Sequence, residues 1–438
     1  MNRAPTATFR TAIRGGLSGL TTRGRSFLAA GLAAGVCAVV LGQRDLLRVA
    51  VLLVALPLGA LVALAGTGLR LGMQRVLAPM RVAAGSAARV RVELRNMTPG
   101  VSRLVMAEDR VPYALGPSPR FVVEGLASGR AAAITYTLAC HSRGRYAVGP
   151  LRLRLRDPFG MCEINRSFSA TDPLIVLPRV YPLTSPSGGG RWSGSGEALA
   201  KSAASTGEDD LTTREYRHGD DLRRVHWRST ARRGELMMRQ DEQPRLLRAT
   251  VLLDTRQNGH CGEGPASSLE WAVSAAASVA VHLVGQRYAV RLLTGSGDRG
   301  WTSATGEATV AVLDRLAEVT TLPANSFATS LTQLTSSGGG RDGLLVAVIG
   351  DLDADQATTL ARIGRGGARG LAVLLATPRW AGLSAGQAAA ADERRRRVAA
   401  VLRDADWSVA EADPTRSVPE VWQQLNPLAA ARSARTEA

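Results

Sequence analysis

The sequence predicts a doubly wound α/β domain preceded by a transmembrane helical hairpin and a small β-sandwich. Three observations carry that expectation. Two uncharged apolar runs follow one another near the start of the chain, residues 80–180 alternate polar and apolar with a period of two, and beyond residue 248 strand-like apolar runs alternate with helical stretches. At 438 residues the chain has room for several domains that bury their own cores without disulfide or metal staples.

The first apolar run extends from Ser26 to Gly42 and the second from Val49 to Gly66. Each is close to the ~20 residues that span ~30 Å of hydrocarbon. Only Gln43 to Arg48 separates them, so a hairpin with a very short loop is the simplest arrangement, and Pro57 sits where a membrane helix tolerates a kink. A cleaved signal peptide is excluded because a second run follows at once and no small-residue cleavage site ends the first. The formal charge of +17 is concentrated on the outer flanks. Arg3, Arg10, Arg14, Arg23 and Arg25 precede the hairpin, and Arg70, Arg75, Arg81, Arg89 and Arg91 follow it, with no acid in either stretch. By the positive-inside rule both ends of the hairpin lie in the cytoplasm. The segments expected here are a basic stretch over 1–25 and the hairpin over 26–69. Four cysteines, Cys37, Cys140, Cys162 and Cys261, show no paired spacing, which argues against a zinc site or a disulfide framework.

In the β-sandwich region, 80–180, the alternation is clearest in Arg89 to Arg95 and Leu151 to Arg156, the pattern of half-buried strands. Phe121 to Val123 and Ile134 to Leu138 are further candidates, and turn-rich spacers between them suit a small immunoglobulin-like sandwich. Residues 182–207, rich in Ser and Gly, read as a linker. Their glycines lack the Gly-Lys-Ser/Thr of a phosphate loop, so no nucleotide site is expected.

The last domain, 249–427, shows buried-strand runs at Ala249 to Asp254, Tyr288 to Leu293, Gly343 to Ile349 and Leu371 to Leu375. Helical stretches fall near 266–285, 306–319, 355–363 and 384–403, an alternation that implies a parallel sheet with helices on both faces. Residues 428–438 read as a disordered tail.

Between these domains, 208–248 holds the densest motif, running from Arg214 to Gly234. Asp220 is placed to cap a short helix, Asp221 falls in its first turn, Arg232 and Arg233 in its last, and Gly234 can end it. His218 and His226 beside the acids suggest metal or acid–base chemistry, but without metal-ligand spacing or a partner nucleophile. The arginines could grip phosphates, yet acids stand next to them and few aromatics interleave. Two readings stay open: a docking surface centred on Arg and Trp, and an Arg/Asp clamp that holds the motif to the neighbouring sheet.

Arg214, Glu215 and Tyr216, followed by Gly219, Asp220, Asp221, Arg223, Trp227 and Ser229 to Arg232, resemble the signature of the domain-of-unknown-function family 58. Upstream, Arg143 to Tyr146 and Asp157-Pro158-Phe159-Gly160 resemble that family's strand-and-turn pattern. The resemblance implies a membrane-anchored protein ending in a von Willebrand factor A-like α/β domain. It implies as partners a MoxR-type AAA+ ATPase, a transglutaminase-like membrane protein and membrane lipid, with no nucleic acid, no cofactor and no catalytic residues. The expected role is a non-enzymatic scaffold or adaptor. The alternatives are a metal-dependent adhesion module and a membrane-bound nucleic-acid-binding protein or nuclease.

A-type domains hold Mg²⁺ through an Asp-x-Ser-x-Ser loop, a Thr and a later Asp, because the hard cation needs oxygen ligands. Here only Asp254 matches the loop; Arg256 and Asn258 occupy the hydroxyl positions. Asp351 or Asp353 could supply the later carboxylate, and Thr294, Thr320 and Thr321 compete for the Thr. Pairing of Arg256 with Asp254 or Asp351, in place of an ion, is the favoured expectation. The flanking charges generate one prediction at this stage. A reporter fused after residue 70 is expected to be active only on the cytoplasmic side, and activity across the membrane would invert the topology of every later domain.

Overall fold

The computed structural model describes residues 19–65, 71–99, 105–123, 125–184, 213–216, 225, 227–239, 247–301, 306–323, 326–336, 343–365 and 368–425. The basic stretch before residue 19, most of the expected linker and the C-terminal tail lie outside them. The chain forms two compact units, Met1–Pro178 and Arg179–Ala438.

The first unit opens with α1 (Thr22–Leu41) and α2 (Arg44–Ala65), both long and apolar enough to cross a membrane. Thr21 caps α1, its hydroxyl accepting from the Gly24 N–H, and Gly42 ends the helix in the left-handed region. The loop is shorter than the expected Gln43 to Arg48. Arg44 and Asp45 already belong to the first turn of α2, where Asp45 suits the positive helix end and pairs with Arg48 at 2.8 Å. The two helices touch closely where small residues allow it; a Cβ on Gly31 would stand 2.7 Å from a methyl of Val54.

Ten strands follow: β1 (Leu71–Ala78), β2 (Arg81–Ala83), β3 (Ser86–Asn96), β4 (Val105–Asp109), β5 (Arg120–Val123), β6 (Ala131–Cys140), β7 (Gly144–Val148), β8 (Leu151–Arg156), β9 (Glu163–Ser167) and β10 (Asp172–Leu177). They form three small sheets, ordered β1-β3-β6, β2-β10-β7 and β5-β4-β8-β9. Val90, Val92 and Leu94 of β3 and Leu151, Leu153 and Leu155 of β8 all enter one core, while the arginines between them face outward. The β region therefore begins at Leu71, nine residues before the expected boundary at 80.

Arg75 is a second departure. Counted in the sequence as a flanking charge, it is buried and forks onto Asp109 at 2.7 and 3.0 Å, with Asp172 at 2.7 Å and the Val148 carbonyl at 3.1 Å. Tyr136 donates to the same Asp109 carboxylate at 2.6 Å. One guanidinium thus joins β1, β4 and β10, and Tyr136 adds β6. Burial alone would lower the Arg75 pKa, but its bonds to Asp109 and Asp172 outweigh that and leave it raised. Burial and the bond to Asp109 push the Tyr136 phenol upward.

In the second unit, β11 (Thr213–Glu215), α3 (Trp227–Arg233) and β12 (Met237–Arg239) precede β13 (Arg248–Leu253). Then come α4 (Ser268–Gly285), β14 (Ala289–Thr294), β15 (Gly297–Trp301), α5 (Gly306–Ala317), α6 (Ser326–Ser336), β16 (Leu344–Ile349), α7 (Ala354–Gly364), β17 (Arg369–Leu375), α8 (Thr377–Ala381), α9 (Ala385–Arg403), β18 (Ser408–Ala412) and α10 (Val418–Gln424). The six-stranded sheet runs β15-β14-β13-β16-β17-β18, parallel except at β15. Alternate strand residues feed opposite layers. Val251 and Leu253 pack with α4, α5 and α10, whereas Leu252 packs with α6, α7 and α9. The doubly wound expectation is met. α4 is also apolar and long enough to span a membrane, but 67% of its apolar window is buried in this layer, so it is a core helix.

Removal of the Arg75 guanidinium strands the buried Asp109 carboxylate and leaves half-buried Asp172 without its partner. Arg75→Ala is expected to lower the opening free energy of the β1 and β4 amides by about 3–5 kcal/mol in hydrogen exchange. Tyr136→Phe, which removes a single bond, should cost only about 1 kcal/mol. Equal small effects would show that the network does not hold the sheets together.

Candidate functional site at the carboxyl edge of the parallel sheet

The chain leaves β13 in one direction and β16 in the other, so the strand order reverses between them, where open α/β sheets form their crevice. Asp254 follows β13, and Gly350 and Asp351 follow β16. Asp254 is fully buried and Arg256 is 2% exposed. The Arg256 guanidinium approaches the Asp254 carboxylate in a fork, Nε to Oδ1 at 2.9 Å and Nη2 to Oδ2 at 2.7 Å. Its remaining N–H groups donate to the Asp351 carbonyl at 2.7 Å and to Gln356 Oε1 at 2.9 Å. The Phe327 ring of α6 lies 4.7 Å from the guanidinium carbon and closes the apolar side.

The backbone completes the enclosure. The N–H groups of Arg256 and Gly350 donate to the two Asp254 oxygens at 3.0 and 3.1 Å. Gly350 must be glycine, since a Cβ there would lie 1.8 Å from the Gly259 carbonyl oxygen. Gln356 is doubly used: it forms the capping box of α7 with Asp353 and receives Arg256. The Asp351 carboxylate points to Arg394 at 3.3 Å, not to Arg256.

Beside the pair, His260 Nε2 faces the Asp254 carbonyl at 2.8 Å and Nδ1 faces Ser268 Oγ at 3.2 Å. A carbonyl only accepts, so Nε2 carries the proton in the neutral ring and Nδ1 accepts from the hydroxyl. Ser268 also receives the Cys261 N–H at 2.9 Å and is fully buried at the start of α4. A hydroxyl with no exposed face offers a substrate no approach, and the imidazole is tied to main chain where a nucleophile's base would need a carboxylate. Burial, aided by the Asp351 charge, pushes the Cys261 thiol up, away from a reactive thiolate.

The ion site that an A-type resemblance implies does not fit these residues. Both Asp254 oxygens are engaged by the guanidinium and by main-chain N–H groups, which a cation would have to displace. Thr294 Oγ1 is held by Ser296 at 2.8 Å, and Thr320 and Thr321 are exposed. Among the described residues no group of three or more His, Cys, Asp or Glu side chains clusters as metal ligands.

The signature motif is placed in part. Gly219, Asp220, Asp221 and Arg223 lie outside the described residues, as do His218 and His226, and the side chains of Arg214 and Ser229 are not described. β11 pairs antiparallel with β12, and Tyr216 N–H bonds the Leu236 carbonyl at 2.9 Å. The described helix spans Trp227–Arg233, and the expected cap at Asp220 lies outside the described residues. Val225 forms an antiparallel bridge with buried Met238. The other end agrees with expectation: Arg232 and Arg233 occupy the last turn and Gly234 follows at φ 76°. Trp227 stands 71% exposed at the start of α3, and Arg232 is exposed in its last turn.

Sequence reasoning singled out Asp254, Arg256 and Asp351 and missed His260, Ser268, Phe327, Gly350 and Gln356. Only the capping pair Asp353 and Gln356 left a readable trace, a helix-start pattern whose second duty toward Arg256 is tertiary.

Taken together, the described residues define a protein with an apolar helical hairpin, a β unit and a doubly wound α/β unit whose switch point holds a buried arginine. The family model described as "Protein of unknown function DUF58" matches residues 212–409, the signature motif and most of the α/β unit, and supports the family resemblance. No curated protein matches the chain. Among solved structures, the CARDB domain of the PF1109 protein of Pyrococcus furiosus is 14% identical over 25% of this chain and 89% of that one, with a TM-score of 0.19. The β-glucosidase EmGH1 of Erythrobacter marinus is 12% identical over 23% of this chain and 15% of that one, at 0.16. The alkylpurine DNA glycosylase AlkC of Pseudomonas fluorescens is 14% identical over 29% of this chain and 39% of that one, at 0.15. At such scores these likenesses bear on neither fold nor function.

Arg256→Ala leaves a carboxylate buried without its partner. It is expected to destabilise the α/β unit by about 3–5 kcal/mol, with Arg256→Ala/Asp254→Ala recovering part of the loss in a double-mutant cycle. Thermal melting and exchange at the β13 and β16 amides would measure it; a neutral Arg256→Ala would mean that the pair is not what closes the crevice.

Proposed function

We propose that this protein is a non-enzymatic, membrane-anchored scaffold that engages a protein partner through its second unit. On this reading the hairpin crosses the membrane twice with both termini cytoplasmic, and the α/β unit is von Willebrand factor A-like without its metal. The observation that carries the proposal is the Arg256 guanidinium in the switch-point crevice, where a ligand or ion would otherwise bind. A side chain with both its charge and its hydrogen bonds satisfied holds loops in place and leaves no chemistry to perform. The exposed Trp227 supplies the kind of aromatic anchor on which interfaces concentrate their energy.

A MoxR-type AAA+ ATPase is the proposed partner, on the family resemblance, with a transglutaminase-like membrane protein as a second. The adhesion alternative is disfavoured because a cation would have to expel Arg256. The nucleic-acid alternative is weakened because Arg379, Arg394, Arg395, Arg396, Arg397 and Arg416 all pair with carboxylates of the same unit.

Binding of the full chain to a purified MoxR-type ATPase would test the proposal. Chelation of divalent cations from this chain before mixing is expected to leave its affinity unchanged, while Trp227→Ala weakens it by at least about tenfold, the loss typical of a central anchor. Absence of binding would remove the ATPase as partner, and binding lost on chelation would favour the adhesion reading.

A further inference from the structure

The Asp157-Pro158-Phe159-Gly160 segment belongs to no strand, yet the first unit invests many bonds in it. Gly160 N–H returns to the Asp157 carbonyl at 3.0 Å, and the Asp157 side chain accepts from the N–H groups of Phe159 at 3.0 Å and Cys162 at 2.6 Å. Asp at the first position, Pro at the second and Gly at the fourth, here at φ 68°, are the residues such a turn favours. Asp157 is buried in shaping it, and Phe159 is left 64% exposed at its tip.

The turn is riveted to the outer end of the hairpin. Thr21 N–H bonds the Met161 carbonyl at 2.9 Å, the Thr21 hydroxyl bonds the Gly160 carbonyl at 2.7 Å, and Glu163 N–H bonds the Gly19 carbonyl at 2.7 Å. A Cβ on Gly24 would lie 2.4 Å from the Met161 oxygen, so backbone rests on backbone. The Cys162 thiol donates to the Pro57 carbonyl of α2 at 3.6 Å. The turn therefore has a fixed depth. From Gly24 to Leu41, at the hairpin tip, a helix rises about 26 Å, against about 30 Å of hydrocarbon in a bilayer. Phe159 is exposed in the turn bonded to the outer end of the hairpin, and Arg23 and Arg25, both exposed, leave the first turn of α1.

We infer that the Asp157–Gly160 turn is a membrane-interface foot: Phe159 inserts at the acyl boundary, and Arg23 and Arg25 bind the headgroup phosphates of anionic phospholipids. Aromatic rings and arginines are the side chains that favour this depth, the ring for its apolar body and the guanidinium for its fit to phosphate. The inference rests on the reading that the hairpin spans the bilayer. The β unit is then held against the leaflet at a set height and does not swing on a tether.

The test uses the full chain in vesicles of phosphatidylcholine with or without phosphatidylglycerol. Phe159→Trp should add blue-shifted emission, relative to the parent with its seven tryptophans, that lipids brominated near the headgroup quench. The double variant Arg23→Gln/Arg25→Gln should reduce the preference for spin-labelled phosphatidylglycerol over phosphatidylcholine by up to about thirtyfold, the weight of two arginines at an anionic surface. Both variants alter exposed side chains and should melt as the parent does. Emission at water-exposed wavelengths in a chain that resists carbonate extraction would overturn the inference while the spanning hairpin stands. Insertion of the ring with unchanged lipid preference would overturn the arginine assignment. Extraction by carbonate would refute the spanning hairpin and the foot with it.

Discussion

Everything at the carboxyl edge of the parallel sheet depends on one buried ion pair. Asp254 follows the central strand into a crevice that water does not reach, where an isolated carboxylate would be prohibitively unstable. Arg256 meets both its oxygens, and the donors left over on the guanidinium tie down the loop after β16 and the start of α7. The crevice is thereby filled from within. Its loops are ordered by a side chain of the same chain, and the geometry that could have held a ligand holds an arginine.

The first unit uses the same device for a different purpose. Arg75 joins strands of three small sheets whose inner faces share one core. A buried pair adds little net stability over an apolar substitute, but it penalises every arrangement that leaves either charge alone. In a β unit of short strands, where a slip of one residue exchanges the faces, such a penalty selects one packing among several. The rivets between the Asp157 turn and α1 extend that order to the hairpin, so the helices and the β core form one body.

Much of this was legible in the sequence. The hairpin could be read because two long uncharged apolar runs separated by a few polar residues leave a simple length and composition signal. The four principal strands and four helices of the α/β unit could be read because buried parallel strands are continuous apolar runs, and helices between them carry a different period. Short polar or mixed elements escaped, among them β15, β18 and α6, since their formation depends on neighbours more than on their own pattern. In the signature motif the C-terminal signals, Arg232, Arg233 and Gly234, could be read locally, whereas the bridge from Val225 to Met238 was not visible without the tertiary partner.

By itself, the sequence determined where the apolar runs of the hairpin and of the sheet lie, and that Arg256 stands two residues from Asp254. Only the tertiary structure decided which charges meet. Arg75 looked like one more flanking cation until folding placed it between Asp109 and Asp172, and Arg256 took the Asp254 carboxylate while Asp351 turned to Arg394. The reason is physical: apolar burial follows from the composition of each segment, but an ion pair forms only where the fold brings two charges together and excludes water from both.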